Sequence, residues 1–221
     1  MFKLVNNFGT CTNNNFLLFC AKFLEKEKCR IIEIGPGSGI FAQSLLDKFP
    51  DADLRFIDIE DKRSFLFSKP MQISDLSCQR IESADSSIEA ILASQVVEHV
   101  KNLSFFIREC HRVLKRGGLL VIKLPNYSNI AQRLVFLLRG YPLRLDGRLD
   151  TEGHVNFLPY KFFLPAVKEY FEPVEVKGDL FVDSIFTRSI FRLLKKDLFL
   201  INDSLHFLSF SWNVMLCLKK K

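Results

Sequence analysis

The sequence predicts an α/β fold: a seven-stranded, mostly parallel sheet with helices on both faces. Three observations predict it. Short apolar runs alternate with amphipathic segments of helical length, as βαβ units require. The first of these runs leads straight into Gly35, Gly37 and Gly39, which open a helix. The last apolar stretch alternates at period two, putting Phe210, Trp212, Val214, Leu216 and Leu218 on one face of a strand.

In chain order, residues 15–28 predict a helix with Phe16, Phe19, Phe23 and Leu24 on one face. RIIEI (30–34) is the first strand, and the glycines open a helix that runs to about Phe49. DLRFID (53–58), MQIS (71–74) and IEAILAS (88–94) are the next three strands. LSFFIRECHRVLK (103–115) is an amphipathic helix ended by Gly117 and Gly118, and LLVIKL (119–124) follows as the fifth strand. Residues 126–158 mix polar, glycine and basic residues with weak periodicity, and read as an inserted substrate cap. A helix over 160–170, the strand PVEVKG (173–178) and the alternating final strand complete one domain over 1–221.

With 221 residues and 48% apolar content the chain can bury a sizeable core. The formal charge of +6 is partly local, in Lys219, Lys220 and Lys221, which read as a solvated basic tail, and in Arg188, Arg192, Lys195 and Lys196. Cysteines 11, 20, 29, 78, 110 and 217 are scattered without ligand spacing, so buried thiols in a reducing, cytoplasmic setting are expected and a metal site is not. The opening MFKLVNNFGTCTNNNF lacks the apolar core of a secretory signal. Residues 198–218 carry Asp203 and His206 and suit a membrane span poorly, which leaves peripheral membrane contact through the basic and apolar C-terminal region.

The glycine stretch carries the functional signal. In a parallel sheet the turn after the first strand lies where ligands bind, and glycines let a ligand touch bare backbone at a helix N-terminus. A dinucleotide fingerprint needs a small residue at position 40, where Ile40 stands, and the phosphate-loop G-K-S/T is absent. What remains is E-x-G-x-G-x-G beginning at Glu33. An acid there would repel a pyrophosphate but suit a ligand with an amino group.

Together with this stretch, EIGPGSG, four further segments in order resemble the class I S-adenosylmethionine-dependent methyltransferases, whose fold is Rossmann-like and doubly wound, with an antiparallel last strand: LRFID, ISDL, IEAILASQVVEHV and ECHRVLKRGGLLVIKLPN. The resemblance implies S-adenosylmethionine as cofactor and S-adenosylhomocysteine as product. It implies that Glu33, Gly35, Pro36, Gly37 and Gly39 form the cofactor turn, that Asp58 beside Ile59 holds the ribose, that Asp75 and Leu76 contact adenine, and that Gln95 touches cofactor or acceptor. Arg116 and Glu89 depart from the family pattern at positions peripheral to the cofactor.

Methyl transfer needs alignment more than a triad, although a hydroxyl acceptor gains from a general base. His154, in DTEGHVNFLPY beside Asp150 and Glu152, and His99, after the fourth strand, are the candidates. The stretch around His154 is similar to one found in a subset of these enzymes, including members linked to glycan biosynthesis. Tyr127, Tyr141 and Phe157 are candidate walls of the acceptor pocket, and His111 and His206 are expected to be structural. SQVV stands where methyltransferases acting on nucleic-acid or protein amines carry an N/D-P-P-Y-like motif, so a small-molecule, glycan or lipid-linked acceptor is expected. The alternatives are a quinone or phenol precursor as acceptor, or a non-catalytic module that only binds the cofactor.

Overall fold

Runs such as RIIEI, IEAILAS and LLVIKL have no polar face, so each needs cover on both sides. The computed structural model shows how they obtain it, and describes residues 14–24, 29–62, 69–140, 154–157, 159–179 and 213–221. Helix α1 (14–21) precedes β1 (Arg30–Ile34), α2 (Ile40–Lys48), β2 (Asp53–Asp58), β3 (Met71–Ile73) and β4 (Ile88–Ser94). After a 3₁₀ turn (Val97–His99) come α3 (Leu103–Val113), β5 (Leu114–Pro125), α4 (Ile130–Arg139), α5 (Tyr160–Val167), β6 (Phe171–Asp179) and β7 (Asn213–Lys220).

The seven strands lie in the order β3-β2-β1-β4-β5-β7-β6. The first five pair in parallel, and β7 runs antiparallel to both β5 and β6. Alternate residues feed two cores. Ile32, Ile34, Ile91, Ile122, Val214 and Leu216 pack with Phe106 and Cys110 of α3 and Phe163 of α5. On the opposite face Ile31, Leu92, Val121, Met215 and Cys217 pack with Phe16 and Phe19 of α1 and Phe41 and Leu45 of α2. The final strand is therefore buried on both faces, and Val214, Leu216 and Leu218 do share one of them. Phe210, Trp212, the residues 25–28 and most of 198–218 lie outside the described residues.

Three features differ from the sequence reading. Gly117 and Gly118 do not end α3, which stops at Val113, with strand pairing already begun at Leu114 opposite Ile88. The glycines form a bulge: Gly117 has φ +76°, and a Cβ on Gly118 would meet the Glu89 carbonyl oxygen at 3.1 Å. The stretch 126–158 contains a helix, α4, whose first amides are capped by Asn129 and whose end is Gly140 at φ +76°. Lys219 and Lys220 are not a solvated tail but the end of β7. The Lys220 ammonium donates to the carbonyls of His111 and Leu114 at 2.6 and 2.7 Å, closing the C-terminus of α3.

The E-x-x-R run on α3 is scaffold. Glu109 and Arg112 pair at 2.8 Å, and Arg112 also donates to the carbonyls of Ile81 and Ser83, fastening the turn before β4. Glu89, at the start of β4, accepts from the Arg30 amide and pairs with Lys115, away from the strands' carboxyl ends. Of the five described cysteines, Cys20, Cys29, Cys110 and Cys217 are buried thiols and Cys78 is exposed. Among the described residues no helix is long and apolar enough to cross a membrane.

Candidate active site

Strand order reverses between β1 and β4, and a cleft of about 460 Å³ opens beside the carboxyl ends of these strands and β2. Gly35, Gly37, Asp58, Ile59, Asp75, Leu76, Gln95 and His99, all singled out in the sequence, line it together. Pro36 and Gly39 are buried within the turn instead, and Gly39 serves as the N-cap of α2. Val96, Ser74 and Ser77 also line the cleft and carry no sequence signal of their own.

The glycines are needed for two separate reasons. Gly35 (φ +73°) packs against β4's exit, where a Cβ would come within 2.5 Å of Val96 Cγ2. Gly37 (φ +53°) has nothing within 4 Å of its would-be Cβ, because the space beside it is the cleft. The Gly37 amide donates to Asp58 Oδ2 at 3.0 Å, and the Ile59 amide to Asp58 Oδ1 at 2.7 Å. Each carboxylate oxygen keeps acceptor capacity for a ligand. Asp75 Oδ1 accepts from the Ser77 amide at 2.8 Å, and hydrogen bonds from the Ser77 amide and hydroxyl hold its carboxyl below the usual range.

Glu33 is buried behind the turn and is not among the cleft-lining residues. Burial first, and then the neighbouring Asp58 charge, push its pKa up to about 8. Its Oε2 makes no hydrogen bond among the described residues.

A second group of residues meets the cleft at His99. The amides of Val155 and Asn156 donate to the Glu98 carbonyl at 2.8 and 3.0 Å, and the Asn156 side chain donates to the carbonyls of Val97 and Val100. These bonds fasten 154–157 to the 3₁₀ turn and set the rings of His154 and His99 edge to face, 4.7 Å apart. The Tyr127 hydroxyl is 3.0 Å from His154 Nδ1, and Phe157 packs on Tyr127 with ring centroids 5.2 Å apart. Tyr127 and Phe157 thus flank His154, while Asp150, Glu152, Tyr141 and His206 lie outside the described residues. His111 packs edge-on against Tyr170 and Phe171, far in the fold from this group, as a structural ring. The sequence reading missed Asn156 and Glu98, whose only signal was their place within HVNF and VEHV.

The family described as "Methyltransferase domain" matches residues 32–122, the span from β1 to β5 that builds the cleft. Over that span the chain is similar to S-adenosylmethionine-dependent methyltransferases, which supports the resemblance read from its motifs. It is 32% identical over 115 residues to the mitochondrial ubiquinone biosynthesis O-methyltransferase of Mus musculus, covering 48% of this chain and 31% of that one. It is 27% identical over 140 residues to the ubiquinone biosynthesis O-methyltransferase of Bradyrhizobium sp. (strain ORS 278), covering 57% and 54%. The chain thus spans about half or less of the length of these relatives. A SAM-dependent methyltransferase from Archaeoglobus fulgidus shares the fold, with a TM-score of 0.64 at 17% identity over 100% of this chain and 99% of that one.

The residues of this cleft fit S-adenosylmethionine on three counts. The orphaned Glu33 oxygen suits an ammonium group, whose charge would favour the ionised carboxyl. Asp58, with acceptor capacity left on both oxygens, would suit ribose hydroxyls. Ile59, 61% exposed although apolar, lies in the cleft with Ile57 and Leu76, and this apolar wall beside Asp75 would suit a purine.

Proposed function

We propose that this methyltransferase methylates a hydroxyl of a small-molecule acceptor, with the His99–His154 pair on the acceptor side. The observation that carries the proposal is the fastening of His154 against His99, a residue of the cofactor cleft, by the Glu98 and Asn156 hydrogen bonds. Bound S-adenosylmethionine supplies a methyl on a positively charged sulfur, which is open to in-line displacement by an oxygen. In this reading Asp58, Asp75 and the bare turn would hold the cofactor, and Gln95, at the exit of β4, would touch cofactor or acceptor. A tautomer with His154 Nδ1–H donating to the Tyr127 oxygen would present Nε2 as the base for the acceptor's proton, an effect worth about 10²–10⁴-fold. Alignment supplies more, of the order of 7–11 kcal/mol.

The acceptor carries an apolar portion in this reading. A groove of about 400 Å³ is lined by Tyr127, Gln132, Arg133, Phe136 and Leu137, so it shares Tyr127 with the histidine group. Leu134, Phe136, Leu137 and Leu138 of α4 are exposed next to Arg133 and Arg139, which suits a lipid-linked acceptor met at a membrane surface. The name shared by several relatives favours a second form of the same reading, a phenolic or quinol ring with an apolar chain.

Transfer of tritiated methyl to lysate fractions tests the proposal. Label in the lipid-soluble fraction, lost in the His154→Ala variant, is the expected result. Label confined to glycan, protein or nucleic acid contradicts the acceptor class. Binding of S-adenosylhomocysteine without any transfer would make the protein a non-catalytic module.

A further inference from the structure

We infer that Glu98, His99 and His154 form a binding site for a divalent transition-metal ion beside the cofactor cleft. The inference rests on the reading of this group as the acceptor side. Each residue offers one ligand atom, and the three atoms lie within 4.8 Å of one another. Two donors about 2.1 Å from a shared ion are at most about 4.2 Å apart, so a small side-chain rotation closes the set. The sequence hid the cluster because His154 reaches it from a distant segment.

Two further observations point to a ligand set rather than to three residues that happen to meet. The backbone that carries them is fixed: the Glu98 carbonyl accepts both the Val155 and Asn156 amides, and the Asn156 side chain bonds across the same 3₁₀ turn. The Tyr127 hydroxyl stands 3.0 Å from His154 Nδ1, the kind of outer partner that fixes the tautomer and orientation of a ligating imidazole. Glu98 is buried at 2% exposure while His99 is exposed and lines the cleft, so the set is anchored on one side and open on the other. Two imidazoles and one carboxylate with open positions suit zinc, iron(II), cobalt or nickel better than magnesium or calcium, which take all-oxygen sets. The open positions are where an acceptor oxygen would bind. With the ion bound, it would acidify that oxygen in place of the His154 base, and the two histidines would serve as its ligands.

The test is titration of the full chain, without cofactor or acceptor, with cobalt(II) chloride, read by d–d absorption. One ion per chain is expected, with binding at least tenfold weaker in both His99→Ala and His154→Ala and strongly reduced in Glu98→Gln. Circular dichroism shows whether each variant is folded, and at least one of the two histidine variants must be for the comparison to stand, His99 being the exposed and more tolerant position. Absence of binding overturns the inference, as does undiminished binding in a folded histidine variant or a thiolate charge-transfer band that places the ion on cysteine. S-adenosylhomocysteine binding to the unaltered protein is measured in parallel. Its presence without metal binding fails this inference alone, and its absence fails the methyltransferase reading.

Discussion

The Asp58 carboxylate accepts the Gly37 amide at 3.0 Å, joining the end of the second strand to the turn that follows the first. One side chain thus shapes the turn and presents a charge to the cleft. Asp58→Ala removes both contributions. It is expected to weaken S-adenosylhomocysteine binding by about 1–3 kcal/mol, the cost of leaving polar partners unmatched, as measured by calorimetry. Unchanged affinity would exclude Asp58 from the cofactor.

Gly35 and Gly37 separate folding from binding. Gly35→Ala puts a Cβ 2.5 Å from Val96 Cγ2 at φ +73°, so it is expected to destabilise the protein by about 1–3 kcal/mol in denaturant titration. Gly37→Ala meets no neighbour within 4 Å and should cost roughly 1 kcal/mol through its positive φ alone. It should nevertheless lose cofactor binding, because the added methyl enters the cleft. Equal stability losses with intact binding in Gly37→Ala would contradict this division.

Glu33 gives a pH dependence with a definite sign. Its folded pKa of about 8 lies above the ordinary 4.5, so the native state keeps a proton that the unfolded chain releases. Its contribution to stability is complete below about pH 4.5 and is lost as pH rises towards about 8, at up to about 1.4 kcal/mol per pH unit. Glu33→Gln should flatten that slope and leave the ligand-free protein more stable at pH 8. Affinity for the cofactor's ammonium end should rise across the same window in the unaltered protein and stay flat in the variant. Parallel slopes in the two proteins would rule out the buried carboxyl as their source.

Much of this was legible in the sequence because it is local. A strand buried on both faces must be continuously apolar, and RIIEI, IEAILAS and LLVIKL are. A turn that requires positive φ three times must use glycine, and Gly35, Gly37 and Gly39 stand there. What escaped depends on partners distant in the chain. Gly117 and Gly118 look like a helix stop until Glu89 is seen across the strand pair. Helix α4 was missed because Leu134, Phe136, Leu137 and Leu138 are exposed and trace no inward stripe, although Asn129 and Gly140 marked its ends. Lys220 finds its role only where β7 passes the end of α3. The meeting of His154 with His99 depends on Asn156, a polar residue in a short loop with no pattern to announce it.

His154 is expected to act on turnover and not on cofactor binding. It is not among the described residues that line the cofactor cleft, and it contacts His99, Tyr127 and Phe157. His154→Ala should lower kcat by about 10²–10⁴-fold on the true acceptor while leaving S-adenosylhomocysteine affinity within a factor of about two. Retained turnover would remove His154 from the reaction.

The central claim is that the bare turn, Asp58 and Asp75 receive an adenosyl sulfonium. Calorimetric titration with S-adenosylhomocysteine, and separately with NAD, tests it most directly. The account predicts one S-adenosylhomocysteine per chain, with binding diminished in Asp58→Ala and no heat from NAD. Binding of NAD, or no binding of S-adenosylhomocysteine by the folded protein, would contradict it.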